Sequence, residues 1–202
     1  MTLEQLRPVA NRLLTPWVNA ADRFGLTPDA ISIAAFIVAC FAGIAYLLAS
    51  QSPWWYLVGA LLVFWNGWLD LIDGALARAQ DVASARGDLI DHVLDRYADI
   101  VIVAGLAAGI NAYALGLVAI TGVLMTSYLG TQAIAVGMDR VYGGVLGRAD
   151  RLMLIGIVTA AVVIVPDPIG PWTLVGWLLV LLAIVGHLTA VQRLVLAVRA
   201  LS

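Results

Sequence analysis

From Ile31 to Ala49 the chain runs without one charged side chain, and a stretch of that kind has few places to go. A helix needs about 20 apolar residues to cross the roughly 30 Å hydrocarbon core of a bilayer. Within that core only helices and closed barrels satisfy their own backbone. The rest of the sequence repeats the pattern. A second apolar run opens on Trp54, Trp55 and Tyr56, placed as an interfacial belt, and continues to Leu69. Further runs cover about 88–108, with acids in the first half, about 113–137, about 152–165 and about 172–193, separated by turns such as Gln51-Ser52-Pro53, Gly109-Ile110-Asn111 and Pro166-Asp167-Pro168. Only 12% of the residues are charged and 62% are hydrophobic, against about 25% and about 45–50% in soluble domains. The expectation is an all-α polytopic membrane protein with six transmembrane helices. It forms a single domain over residues 1–202, with 1–25 an interfacial amphipathic helix and 26–202 the bundle.

The N-terminal helix is expected because Leu3, Leu6, Val9, Leu13, Leu14, Trp17 and Val18 recur at helical spacing among Glu4, Arg7, Arg12, Asp22 and Arg23. Pro8 and Pro16 are expected to interrupt it. A secretory signal would show a basic start and an unbroken apolar core instead. The single cysteine, Cys40, excludes an intrachain disulfide and a cysteine-based metal site.

All 11 basic residues are arginine. The turns at 50–53, 109–112 and 166–171 hold none of them. They lie in the N-terminal segment, in 78–96, in 139–151 and at the C-terminal end. The positive-inside rule then places both termini and these two stretches on the cytoplasmic side of the cell membrane. The net charge of −2 supplies no field for a nucleic-acid partner.

Against this apolar background, Asp70 and Asp73 end the second run, and Asp91 and Asp95 lie in the third. Spacings of three and four put each pair on one helix face. An acid at mid-bilayer costs roughly 2.5–3.5 kcal/mol, and converging carboxylates also repel. Arg78, Arg86 and Arg96 offset part of that charge. Hard divalent cations fit better, since carboxylate oxygen is their preferred ligand, and a pair of them suits phosphoryl chemistry. Gly74 and Gly87 between the acids leave room for a ligand to approach the backbone. Arg78 is placed to meet a pyrophosphate with its planar fork. Asp88 is expected to cap the third span. Asp99 stands one turn deeper than Asp95 on the same face, as a partner of the site or a member of an ion pair. His92 and His187 are expected to be packing residues.

Together these positions resemble the signature of the CDP-alcohol phosphatidyltransferase family: Asp, two residues, Asp-Gly, two residues, Ala-Arg, eight residues, Gly, three residues, Asp, three residues, Asp. Asp70, Asp73-Gly74, Ala77-Arg78, Gly87, Asp91 and Asp95 match it in type and spacing. Six spans and an interfacial helix also resemble the family. The resemblance implies that Asp70, Asp73 and Asp91 hold a pair of divalent ions, Mg²⁺ or Mn²⁺. Asp95 would complete the metal site and act as general base on the acceptor, which makes Asp91 and Asp95 the catalytic pair. Asp70, Asp73, Gly74, Ala77, Arg78 and Gly87 would form the CDP pocket. Pro28 and Ser32 join them, because Thr27-Pro28-Asp29 resembles the family's Thr-Pro-Asn segment, with Asp29 in place of asparagine. The implied partners are a CDP-linked lipid donor, a small alcohol or alcohol-phosphate acceptor, membrane lipids and a second copy of the chain in a homodimer.

The acceptor is hinted at by Arg140, Arg148 and Arg151 around the glycines Gly143, Gly144 and Gly147, a grouping suited to a phosphate. Ser127-Tyr128 and the run from Gly147 to Leu152 resemble the phosphatidylinositol-phosphate and archaetidylinositol-phosphate synthase branch, whose acceptor is inositol 1-phosphate. That branch usually carries basic residues after the Ser-Tyr pair, where this chain has Leu129-Gly-Thr-Gln132-Ala. Glycerol 3-phosphate and unphosphorylated alcohols therefore stay open, as do diacylglycerol and archaeol donors. The alternative to an enzyme is a cation- or proton-coupled transporter, since intramembrane acids also mark ion paths. A transporter would want its acids near mid-membrane and in paired repeats, whereas here they gather at a boundary beside Arg78. An inactive assembly factor would have lost a carboxylate of the signature, and none is missing.

Overall fold

The computed structural model of the chain describes residues 7–82, 84–138 and 146–201, with side chains from Leu13 onward. Among them are seven helices: α1 (Arg7–Arg23), α2 (Pro28–Leu48), α3 (Trp54–Ala79), α4 (Ala85–Gly109), α5 (Tyr113–Ala135), α6 (Arg148–Ala161) and α7 (Leu174–Leu201). The only β-type pairing in the described residues is one bridge between Ile169 and Trp172.

The helix starts follow from local chemistry. Thr27 caps α2, its hydroxyl accepting from Ala30 N at 3.2 Å, and Pro28 takes the first helical position. Ser84 caps α4 by accepting from Gly87 N at 3.1 Å. Asp88 is thus not the cap, as the sequence suggested, but lies in the first turn, where its charge still suits the helix dipole. Asp150 accepts from Gly147 N at 3.1 Å at the start of α6. Pro16 lies inside α1 without ending it.

Helices α2, α3, α5 and α7 are each long and apolar enough to cross a membrane, and the chain is a polytopic membrane protein. The α4 helix has the length, with 25 residues, but its first half is charged. The α6 helix has 14 residues, a rise of about 21 Å. The fifth expected run, about 152–165, is therefore shifted: the helix starts earlier, at Arg148, and ends at Ala161. The β-branched run Val162 to Val165 before Pro166 leaves it through turn hydrogen bonds.

Packing follows a closed circuit, α2 to α3 to α6 to α7 to α5 to α4 and back to α2, with α4 also touching α7. Small residues such as Ala39, Ala42, Ala45, Ala98, Ala107 and Ala119 fill the interior beside larger ones such as Tyr46, Ile102, Leu106 and Leu179. Large apolar side chains, including Phe41, Leu61, Leu117, Ile157 and Leu188, face outward. Small interior residues and large outward ones suit lipid, where close backbone approach drives helix association. Helices α2 and α4 approach backbone to backbone: a Cβ on Gly105 would collide with the carbonyl oxygen of Gly43. Polar ties add register. Asn66 on α3 donates to Ala35 O on α2 at 2.9 Å, and the Tyr46 hydroxyl meets Thr159 Oγ1 on α6 at 3.0 Å. The α1 helix lies on α3, with Leu14, Val18 and Ala21 buried in one cluster with Ile72 and Leu76. Trp17 meets Trp65 edge-on at 5.6 Å.

Candidate active site

Helices α3 and α4 are joined by the short segment 80–84, so the C-terminal end of one and the N-terminal end of the other lie together. The acids sit on these two ends. Asp70 comes from α3, and Asp91 and Asp95 come from successive turns of α4. One carboxylate oxygen from each of the three lies within 4.8 Å of the others. Such a group of hard oxygen donors fits a divalent cation. Asp73 stands beside this trio. It is buried, and its Oδ2 accepts from Ser32 Oγ on α2 at 2.7 Å. It lines the neighbouring cavity together with Asp91.

Positive charge reaches the trio from α6. Arg148 Nη1 donates to Asp70 Oδ2 at 2.5 Å, and its Nη2 lies 2.7 Å from Asp95 Oδ1. One planar fork therefore ties α3 to α4, a geometry that a lysine ammonium would not reproduce. Arg96 Nη2 lies 3.6 Å from Asp95 Oδ2, and Nη1 of the same side chain donates to Ser127 Oγ on α5. Behind these groups Asp99 pairs with Arg151 at 2.5 Å, both almost fully buried. His92 donates its ring Nδ1 proton to Asp88 O at 2.8 Å and lies 3.8 Å from Asp91 Oδ2.

Beside the trio opens a cavity of about 430 Å³, walled by the start of α2, the end of α3 and the start of α4. Pro28, Ser32, Asp73, Gly74, Ala77, Arg78 and Gly87, all expected from the sequence at a CDP pocket, line it; Asp70 lies with the trio instead. A Cβ on Gly74 would sit 3.5 Å from Arg78 Nη1, and one on Gly87 would sit 3.4 Å from Asp29 Oδ1. Neither would clash, but any longer side chain there would enter the cavity. Among the described residues, Arg78 takes part in no ion pair. Its guanidinium is available to an anion in the cavity. Among the described residues the cavity is lined by Arg78 as a single cation and by Asp29, Asp73, Asp88 and Asp91, so an anionic nucleotide would fit there only with dications on the carboxylates to balance the charge.

Of the arginines expected at the acceptor, Arg148 and Arg151 stand on successive turns of α6 against the acids, and Arg140 lies outside the described residues. Sequence reasoning named Arg78, Arg86 and Arg96 as the counter-charges. It missed Arg148 in that role, because residues 78 positions apart share no local pattern. It also missed that the Ser32 hydroxyl holds Asp73.

Comparison with known proteins agrees with this geometry. The family model for CDP-alcohol phosphatidyltransferase matches residues 25–190. The archaetidylinositol phosphate synthase of Methanothermobacter thermautotrophicus is 34% identical over 194 residues, an alignment covering 96% of this chain and 92% of that protein. The crystal structure of phosphatidylinositol phosphate synthase from Mycobacterium tuberculosis with CDP-DAG bound superposes with a TM-score of 0.76 at 26% identity, covering 92% of this chain and 94% of that one. The same protein in complex with manganese and citrate gives a TM-score of 0.77 at 26% identity, over 91% and 88% of the two chains.

Proposed function

Since the chain belongs to the CDP-alcohol phosphatidyltransferase family, we propose that its acceptor is inositol 1-phosphate, making it an inositol-phosphate-specific member. The general activity is that of the family. The enzyme moves a phosphatidyl- or archaetidyl-type group from a CDP-activated lipid to an alcohol in phospholipid synthesis, releases CMP, and depends on metal. This sets aside the transporter reading.

The acceptor assignment is carried by one observation: Arg148 on α6 stands directly against Asp70 and Asp95 of the trio, with Arg151 one turn further along the same helix, paired with Asp99 behind them. A phosphate on the acceptor would meet two guanidiniums as its hydroxyl reached the acids. The names of the relatives point the same way.

The residues suggest how the reaction proceeds. Asp70, Asp91 and Asp95, with Asp73 alongside, would hold a pair of Mg²⁺ or Mn²⁺ ions, which when bound neutralise the donor pyrophosphate and polarise its phosphorus. Arg78 holds the diphosphate in the cavity, with Gly74 and Gly87 leaving space for the nucleotide and Pro28 and Ala77 closing its wall. Asp73 is fixed by Ser32, so its carboxylate does not rotate away. Asp95 is anchored through Oδ1 by Arg148. Its Oδ2, which Arg96 Nη2 faces only at 3.6 Å, would take the proton of the acceptor hydroxyl. As that proton leaves, the acceptor oxygen bonds to the lipid-bearing phosphorus. The bond from that phosphorus to the bridging oxygen breaks, and CMP carries the electron pair away. A carboxylate is a weak base for an alcohol, so positioning and electrostatics supply most of the acceleration.

In the same reading α4 and α6 complete six transmembrane helices in one domain. Both termini and the site face the cytoplasm, and a second copy of the chain forms a homodimer. Radiolabelled CMP release from CDP-lipid, with Mn²⁺ and inositol 1-phosphate, glycerol 3-phosphate, serine or inositol, tests the acceptor. Preference for inositol 1-phosphate is expected. Equal use of inositol would refute it.

A further inference from the structure

One group in the neighbourhood has no part in the mechanism above and is not among the carboxylates placed at the metal. Asp99 lies on α4 one turn beyond Asp95, with its side chain 1% exposed. A carboxylate so buried is tolerated only with close positive partners, and this one has several. Its Oδ2 is 2.5 Å from Arg151 Nη2 and 3.7 Å from Arg96 Nη1, and its Oδ1 is 3.8 Å from Arg148 Nε. Arginines from α4 and α6 thus share one buried anion. Two of them, Arg96 and Arg148, also touch Asp95.

We infer that Asp99 is a positioning residue for the acceptor. Its carboxylate holds Arg151 in place one turn from Arg148, which itself reaches Asp70 and Asp95, so that both guanidiniums meet the acceptor phosphate. This rests on the phosphorylated-acceptor reading. Two features separate the role from ordinary packing. The Nε–H of Arg151 is buried without a hydrogen-bond partner among the described residues, so this side chain keeps a donor in reserve, while Arg148 Nε faces Asp99 Oδ1 at 3.8 Å. In addition, Asp99 is the sole ion-pair partner of Arg151 among the described residues. Without that charge, Arg151 would be a buried cation free to turn toward Asp95 or away from the site.

The test uses the full chain in lipid nanodiscs with CDP-lipid and Mn²⁺. Asp99→Asn keeps the shape and removes the charge. It is expected to raise the KM for inositol 1-phosphate and the inhibition constant of inorganic phosphate about tenfold or more, while the KM for CDP-lipid stays as in wild type. Isothermal titration of inositol 1-phosphate without donor should show the same weakening. Asp99→Glu, which restores the charge at a slightly different reach, should lie between the two. A purely structural role would lower the melting temperature and kcat while leaving the acceptor KM and the phosphate inhibition constant unmoved, and that result overturns the inference alone. If Asp99→Asn does not fold, Asp99→Glu decides: an acceptor KM equal to wild type overturns it. A wild-type enzyme that binds inositol as well as inositol 1-phosphate overturns the acceptor reading and this inference with it.

Discussion

The two ends of α4 are built on opposite principles. Toward its C-terminus, Gly105 lies against Gly43, and Ile102, Val103 and Leu106 are buried among small residues. The contact there is backbone against backbone. Toward its N-terminus, Asp91, Asp95 and Asp99 face Asp70 and the arginines of α6, and contact depends on charge balance. The first end holds the bundle together, and the second is where we place the ligands. One helix serves both because a face of acids at every fourth position can give way to small residues without a break in the backbone. The protein thereby separates what keeps it folded from what makes it reactive, which lets the acid end carry unfavourable charge that the apolar end offsets.

Substitutions at the two ends should therefore fail in different ways. The largest effect is expected from Asp70→Asn, which removes a member of the trio and one of the partners of Arg148. CMP release should fall at least about a hundredfold, while the thermal unfolding midpoint moves little. A large loss of stability with activity in the folded fraction would place Asp70 in the scaffold instead. Next comes Gly105→Val at the opposite end. The side chain must displace the Gly43 backbone, and overpacking of this kind costs about 1–3 kcal/mol or more. The midpoint should drop clearly, while Mn²⁺ affinity of the protein that remains folded is unchanged. The smallest effect is expected from Thr159→Val, which deletes the Tyr46–Thr159 contact. Interhelical hydrogen bonds in membranes average about 0.6 kcal/mol, so unfolding in mixed micelles should shift slightly and transfer should keep its rate. A marked loss of rate there would blur the division between the two ends.

The sequence revealed these two ends unequally. The helices were legible because absence of charge over a bilayer's thickness is a one-dimensional signal, as in α2. The acids were legible for the same reason in reverse: Asp70, Asp73, Asp91 and Asp95 stand out against apolar surroundings, and their spacing survives folding because helices are periodic. What pairs with them was not legible. Arg148 reaches Asp70 and Asp95 only because α6 packs on α3, and Ser32 reaches Asp73 only because α2 does. The start of α4 was misplaced because Asp and Ser are both good caps, and local sequence did not say which hydroxyl or carboxylate would meet the free N–H groups. The short α6 was hidden by the apolar residues after it, which read as helix but leave it before Pro166.

The central claim is that carboxylates from α3 and α4 converge to hold dications. Mn²⁺ binding by electron paramagnetic resonance, comparing wild type with Asp91→Asn in the absence of substrates, tests it most directly. Wild type should take up Mn²⁺ stoichiometrically, and the variant should bind it at least about tenfold more weakly with its helix content intact. Equal uptake by both proteins would contradict the account.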